Sequence, residues 1–196
     1  LNSLNHLIDS IVRGITLREV RALTGFSRIQ PVDADGVEEI KPDLGKGAAF
    51  LPASENFGEG IFIHFNENTL NTWETDPAII ERVEATRSIA SQSNISWIPK
   101  ATPRFIALHT LAHALIRQLT FDCGYSSSAL RERIYCSTPD GPTPPMAGIL
   151  IYTASGDSQG SLGGLVRQGR SPRLAMTILQ AIEAISWCSS DPVCSE

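Results

Sequence analysis

The sequence predicts an α+β fold, in which a mixed or antiparallel sheet packs with a central buried helix and a C-terminal helix. Two observations favour this class. Apolar residues recur at helical spacing between residues 105 and 119, whereas residues 146–154 form a short apolar run typical of a buried strand. The predicted elements follow the order helix, strands, helices, strand, strand, helix. The chain has 196 residues, 42% of them hydrophobic and 19% charged, which is sufficient for a core.

Residues 1–100 are predicted to form an N-terminal subdomain that is rich in helix and strand. Residues 4–13 have the pattern of an amphipathic helix, and the β-branched and aromatic residues of 16–32 favour an extended segment. Residues 47–54 and 59–65 are predicted to be two strands of a hairpin that turns at ENFGEG.

Helix-capping residues mark the next two elements. Asn66 or Asn68 is predicted to cap one long polar helix that runs through residue 92. Thr102 and Pro103 begin the central helix, because a capping hydroxyl followed by proline is typical of a helix start. This helix is apolar around most of its girth and should be buried, with one stripe made of Phe105, Leu108, Ala112, Leu115 and Leu119.

Residues 101–196 are predicted to form a second unit, with the central helix at its start. A capped turn and a strand are predicted at 126–137, and a buried strand at 146–154. A glycine-rich connection leads from this strand to a final helix that opens at Ser171 and Pro172. The abrupt start and end of the sequence suggest a piece of a longer protein, truncated at its C-terminal side.

Charge and hydropathy narrow the classes of function. The net charge is −5, so no overall basic field indicates nucleic-acid binding, although a local basic patch remains compatible with it. The sequence contains no run of eighteen apolar residues, the length needed to span a membrane, so no membrane partner is expected. Without a recognisable signal peptide, we expect a cytoplasmic protein with reduced thiols, and a secreted disulfide protein is the least favoured alternative.

The central helix contains the segment HTLAH, in which His109 and His113 are four residues apart. This spacing places both imidazoles on one helix face, where they could share a metal ion. A zinc protease also needs glutamate as general base at the second position, where this chain has Thr110. We therefore predict that both histidines are structural polar residues, hydrogen-bonded to the glycine-rich connection or to the segment RERIY.

The glycine-rich connection is a candidate nucleic-acid site. Successive backbone amides in such a turn can cradle a phosphate, and three arginines follow at intervals of three residues. The alternative is a tight turn followed by solvated arginines. The candidate nucleic-acid-binding residues are Gly160, Gly163, Gly164, Arg167, Arg170 and Arg173.

Three carboxylates are candidates for polar roles. Glu132 lies between Arg131 and Arg133, which favours a structural ion-pair network. Asp157, in the glycine-rich connection, is assigned a structural polar role. Glu59 lies between two glycines, and it could hold a buried arginine or histidine.

The cysteines are candidate zinc ligands, although no CxxC pair is present. Cys188 and Cys194 flank a turn that could bring two thiolates together. Two thiolates do not complete a tetrahedral site, so either Cys123 and Cys136 supply the others or further ligands follow residue 196.

Six stretches resemble, in the same order, the DrmB family: LREVRALTGFSRI, GEGIFIHF, LHTLAHALIRQL, CGYSSSALRERIY, GILIYTASGDSQGSLGGLV and CSSDPVCSE. That family is a subunit of the DISARM anti-phage system. It belongs to a wider group that carries the zinc-binding domain of MrfA-type DNA-repair helicases. The resemblance covers the chain from about residue 17 to its end.

This resemblance implies an accessory domain of a superfamily-two helicase, not an enzyme in its own right. It also implies a structural zinc held by a C-terminal cysteine cluster. Cys188 and Cys194 match the first part of that cluster, and its remaining ligands would lie beyond this chain. Cys123 matches a cysteine that packs in the core.

The sequence thus supports two main hypotheses. In the first, the chain is a non-catalytic domain that partners a helicase and contacts DNA, in anti-phage defence. In the second, it is a metal-dependent hydrolase or nuclease that uses His109, His113, Asp157 and Glu59. The second requires these side chains to converge around an open cleft.

Overall fold

A computed structural model describes residues 2–27, 40–45, 49–92, 102–137, 144–153 and 163–186. Its sheet has four strands in the order β1-β2-β4-β3, and every neighbouring pair is antiparallel. The predicted α+β class is confirmed. The strands are β1 (Ile8–Ala22), β2 (Ala53–Phe65), β3 (Leu130–Ser137) and β4 (Met146–Thr153).

The helices of the described residues vary widely in length. The longest is the predicted central helix, α4, which begins after the cap Thr102 and ends at the left-handed residue Gly124. A single 3₁₀ turn, Ser127–Ala129, leads into β3. The helices are α1 (Asn2–Leu7), α2 (Glu67–Glu74), α3 (Pro77–Gln92), α4 (Pro103–Cys123), α5 (Gly164–Gln168) and α6 (Arg173–Ile185).

The core lies between α4 and one face of the sheet. Leu115 and Ala112 of α4 are completely buried, as is Ile149 of β4. Helix α6 packs on α4, and its residues Leu174 and Ile178 are also buried. The central position predicted for α4 and the predicted C-terminal helix are therefore confirmed. In the described part of the chain, no helix is long and apolar enough to cross a membrane.

The N-terminal helix is shorter than predicted. It ends at Leu7, and residues 8–13 belong to β1. In β1, Ile11 pairs with Ile63 and Val12 pairs with Phe62 of β2. These β-branched residues gain cross-strand contacts that an isolated amphipathic helix cannot provide, so tertiary pairing overrides the local pattern.

The predicted hairpin at residues 47–65 is wrong, because residues 53–65 form one continuous strand. Strand β1 pairs with this strand from Ala53 to Phe65, with register shifts between Ile8 and Ser10 and between Gly14 and Leu17. Gly58, expected in the turn, lies inside the strand, where a β-carbon would be 2.0 Å from the carbonyl oxygen of Thr153. Glycine is needed here because β4 approaches closely.

The single long helix predicted after Asn66 is two helices. The side chain of Asn66 accepts a hydrogen bond from the amide of Thr69 and caps α2. Asp76 accepts a bond from the amide of Ala78, and Pro77 begins α3. Proline favours this first helical position, since it has no amide hydrogen to donate.

A buried arginine, missed by the sequence reasoning, anchors the start of α4. The side chain of Arg104 is fully buried, with Glu74 at 2.7 Å and Glu67 at 2.8 Å. The Nη1 that contacts Glu67 also donates to the carbonyl of Ser137, and Nη2 donates to the side chain of Asn71. Arg104 therefore joins α2, α4 and the end of β3.

The sheet includes strands from both units that the sequence predicts. Strand β2 belongs to the first unit and β4 to the second, and they pair from Gly60–Tyr152 to His64–Gly148. The described parts of residues 1–100 and 101–196 thus share one sheet.

Candidate functional site

Two histidines and one carboxylate converge between α4 and β3. The Nε2 atoms of His109 and His113 are 3.0 Å apart. Oε1 of Glu132 is 3.2 Å from Nε2 of His109 and 3.3 Å from Nε2 of His113. These three atoms form a nearly equilateral triangle, and we call the three residues the His–His–Glu cluster.

The backbone explains this convergence. His109 and His113 are one helical turn apart and so share a face of α4. The Phe105 ring, a further turn back, stacks on the ring of His109 with 5.4 Å between centroids. Glu132 alternates with Arg131 and Arg133 along β3, which directs its side chain towards α4. The structure thus brings the histidines to RERIY, one of the two partners that the sequence predicts.

The cluster is open on one side. The side chains of His109 and His113 are 45% and 61% exposed, whereas that of Glu132 is 20% exposed. Next to it lies an open depression of about 470 Å³, which Arg117 and Arg131 also line. Oε2 of Glu132 is buried and has no hydrogen-bond partner in the described part of the chain.

The ion-pair network predicted for RERIY does not form as expected. Alternation along β3 separates Glu132 from its two neighbours, so its charge faces the histidines. Arg133 instead lies over the ring of Tyr135, with its guanidinium carbon 5.5 Å from the centroid. Among the described residues, neither Arg131 nor Arg133 makes an ion pair.

The second predicted site, the end of the glycine-rich connection, already binds an anion of the protein itself. Glu59 is fully buried, and its Oε1 accepts hydrogen bonds from the hydroxyl of Tyr125 (2.7 Å) and the amide of Leu165 (2.9 Å). Its Oε2 accepts a bond from the amide of Val166 at 3.1 Å. Gly163, with a φ of 119°, is the N-terminal capping residue that precedes α5.

Among the described residues, Glu59 therefore holds neither a buried arginine nor a histidine, and it lies outside the His–His–Glu cluster. Burial by itself raises the pKa of Glu59, but hydrogen bonds from Tyr125 and the α5 amides outweigh it, and the pKa is lowered. Burial and the hydrogen bond to Glu59 raise the pKa of Tyr125 to about 12. The carboxylate is thus kept charged as the cap of α5.

The three predicted arginines follow this turn and are exposed. Arg167 is in α5, Arg170 is between the helices, and Arg173 begins α6. A fourth arginine, Arg13 of β1, packs against Gly169, since a β-carbon at Gly169 would be 3.0 Å from its Cγ. We call these four the arginine patch. Within the described ranges, none of them forms an ion pair.

Several predicted site residues lie outside the described residues. These are Asp157, Gly160, Cys188 and Cys194. Their proposed roles remain predictions.

The two other cysteines cannot complete a shared zinc site. Cys123 is the last residue of α4, whereas Cys136 lies beside Thr102, at the start of the same helix. A helix of 21 residues separates these positions by about 30 Å. Both are free, half-buried thiols, and burial raises the pKa of each. The alternative in which both join Cys188 and Cys194 around one ion is therefore excluded.

Comparison with known proteins relates these features to a family. The chain is 39% identical, over 95% of its length, to a DISARM protein DrmB from Bacillus paralicheniformis. The predicted resemblance to the DrmB family is confirmed. The chain spans about a third of that relative's length, 34%. Residues 111–196 also match the MrfA Zn-binding domain, a stretch that contains His113 and Glu132.

Among the described residues, the side chains that fit zinc are those of the His–His–Glu cluster, of which His113 and Glu132 lie inside the matched stretch and His109 lies two residues before it. Imidazole nitrogens and a carboxylate oxygen are all common zinc donors. The cysteine pair at 188 and 194 has the right chemistry too, but its geometry lies outside the described residues.

Proposed function

We propose that this chain is an accessory, non-catalytic domain of a cytoplasmic anti-phage defence protein. In this proposal it partners a superfamily-two helicase and contacts the DNA on which the helicase acts. The similarity to a DISARM protein supports the role in defence, and the match to the MrfA Zn-binding domain supports a bound zinc. The arginine patch is the observation that carries the contact with DNA.

The physical case for DNA depends on local charge. Exposed arginines that are not paired with carboxylates can release condensed counterions when they neutralise phosphates. Arg13, Arg167, Arg170 and Arg173 satisfy this condition in the described part of the chain, although the whole chain carries a charge of −5. Because the amides near Gly163 bind Glu59, we assign phosphate contact to the arginine side chains rather than to the glycine turn.

The experiment is a salt titration of DNA binding. We expect fluorescence anisotropy to show binding to duplex DNA that weakens steeply with salt, with a log–log slope of about −0.9 for each phosphate contacted. Changing Arg167, Arg170 and Arg173 to alanine should make the slope less steep by about three and weaken low-salt affinity at least tenfold, roughly one contact for each arginine.

The matched control changes Arg131 and Arg133 to alanine, which removes exposed arginines from β3, at the opposite edge of the sheet from β1 and Arg13. This variant should bind nearly as well as the parent. Absence of binding at low salt, or equal losses in both variants, would contradict the proposed DNA contact.

Partnership with a helicase is tested separately. The chain should co-purify with the superfamily-two helicase subunit of its own defence system and change that subunit's rate of DNA unwinding. No co-purification and no change in rate, under conditions where both proteins are folded, would remove this part of the proposal.

A metal-dependent hydrolase is the second candidate, because the His–His–Glu donor set is also found in catalytic zinc sites. However, Thr110 occupies the position of the general base in the zinc-protease motif. Thr110 is exposed and lines a different depression, together with Trp73 and Ile182. Zinc-dependent cleavage of a peptide or phosphodiester, lost in His113→Ala, would favour this candidate over the non-catalytic one.

A further inference from the structure

We propose that His109, His113 and Glu132 bind a divalent transition-metal ion, with zinc as the expected occupant. The site links the middle of α4 to β3. It is separate in its ligands from the cysteine cluster that the resemblance implies near the end of the chain. Metal binding here does not depend on the DNA or helicase contacts proposed above.

The spacing of the three donor atoms matches a metal's coordination sphere. In a tetrahedral zinc site with bonds of about 2.05 Å, neighbouring donors are about 3.3 Å apart. The distances in the cluster are 3.0, 3.2 and 3.3 Å. An ion about 2.05 Å from all three atoms would lie about 0.9 Å above their plane, so no large movement of the backbone is required.

Hydrogen bonding alone does not account for this triangle. With Glu132 ionised, each contact between its oxygen and an imidazole is favourable only if that Nε2 carries a proton. If both Nε2 atoms are protonated, the 3.0 Å contact between His109 and His113 has two donors and no acceptor. If either lacks a proton, a nitrogen lone pair faces the carboxylate. With Glu132 ionised, every combination of protons on the two Nε2 atoms therefore leaves one repulsive contact, which a cation at the centre removes.

The carboxylate provides a second, independent indication. Oε2 of Glu132 is buried without a hydrogen-bond partner in the described residues, and a buried charge of this kind is costly unless it is compensated. Arg117 and Arg131 line the adjacent depression, but neither pairs with it among these residues. A divalent ion on Oε1 would supply the missing positive charge.

The number of ligands indicates the type of site. Structural zinc usually has four protein ligands, whereas three protein ligands leave one position for water or another molecule. The exposure of His109 and His113 places that fourth position at the protein surface. Two imidazoles disfavour Mg²⁺, which prefers oxygen ligands, so Mg²⁺ serves as a negative control.

The experiment measures metal binding to the chain after chelation and dialysis. The background carries Cys188→Ser and Cys194→Ser, so that thiolates at the C-terminal end do not contribute. Calorimetric titration should show one zinc ion bound per chain, and added Mg²⁺ should not displace it. Cobalt substituted for zinc should give visible absorption bands without thiolate-to-cobalt charge transfer.

Variants in the same background test the ligands. Glu132→Gln and His113→Ala should each weaken zinc binding about 100-fold or more, whereas His64→Ala, at a histidine on β2, should leave it unchanged. Zinc at one hundred times its Kd should raise the melting temperature by about 5–10 °C in the background and not in Glu132→Gln.

Two results would overturn the proposal. One is no bound zinc or cobalt in the background with Cys188→Ser and Cys194→Ser at about 100 µM metal, a level that a three-ligand site should saturate. The other is unchanged affinity in both ligand variants. If His113→Ala does not fold by circular dichroism, Glu132→Gln and the cobalt spectrum of the background protein still decide the question.

Discussion

Replacing Glu59 with glutamine should destabilise the protein by about 2.5–6 kcal/mol at neutral pH. A glutamine oxygen can still accept the bonds that Tyr125 and Leu165 donate to Oε1. Its NH₂ group, however, would face the amide of Val166, which now donates to Oε2. The change therefore removes a charge-assisted bond worth about 1.5–3 kcal/mol and leaves two buried donors facing each other, at a further cost of about 1–3 kcal/mol.

The pKa of Glu59 also determines how this loss of stability depends on pH. The pKa of Glu59 is lowered on folding, so its contribution is fully present above the unfolded value of about 4.3. It is lost as the pH falls through the lower folded value. Glutamine does not titrate, so the difference in stability between the parent and Glu59→Gln should narrow as the pH decreases below about 4.3.

Urea unfolding, followed by circular dichroism between pH 3 and 7, measures both effects. Glu55→Gln is the matched control, because Glu55 is exposed and its ion pair with Arg18 should contribute less than about 1 kcal/mol. A loss below about 0.5 kcal/mol at pH 7, or a difference that does not change with pH, would refute the assignment of Glu59 as a charged cap of α5.

Two further substitutions test how the fold is held together. Arg104→Met should lower the free energy of unfolding by about 3–5 kcal/mol, because it leaves two carboxylates without their buried partner. The control Arg82→Met, at an exposed arginine, should lower it by less than about 0.5 kcal/mol. Similar losses in both variants would show that Arg104 is not an anchor. Gly58→Ala should prevent normal folding or lower the melting temperature by more than 10 °C, an effect of about 3 kcal/mol or more, because its β-carbon would overlap the carbonyl of Thr153. Gly124→Ala, which meets no neighbour within 4 Å and has a φ of 71°, should cost only about 1 kcal/mol. A Gly58 variant as stable as the Gly124 variant would contradict the described pairing of β2 with β4.

Local patterns in the sequence were sufficient for some elements and insufficient for others. The cap Thr102, Pro103 and the apolar stripe predict α4 correctly, since these signals act within a few residues of one another. The glycines of ENFGEG predicted a turn, but they lie within β2, where the close approach of β4 requires glycine at Gly58. The local pattern also failed after Leu7, where pairing with β2 overrides helical periodicity.

The same division applies to the candidate site. By itself, the sequence determined that His109 and His113 share a helix face, because residues four apart are neighbours on any α-helix. Only the tertiary structure decided that Glu132 meets them, since that contact depends on how β3 packs against α4. The tertiary structure also placed Arg13 against Gly169, in the arginine patch, and brought the amides of Leu165 and Val166 to Glu59. These contacts join distant segments, and no periodicity in the sequence specifies which segments will meet.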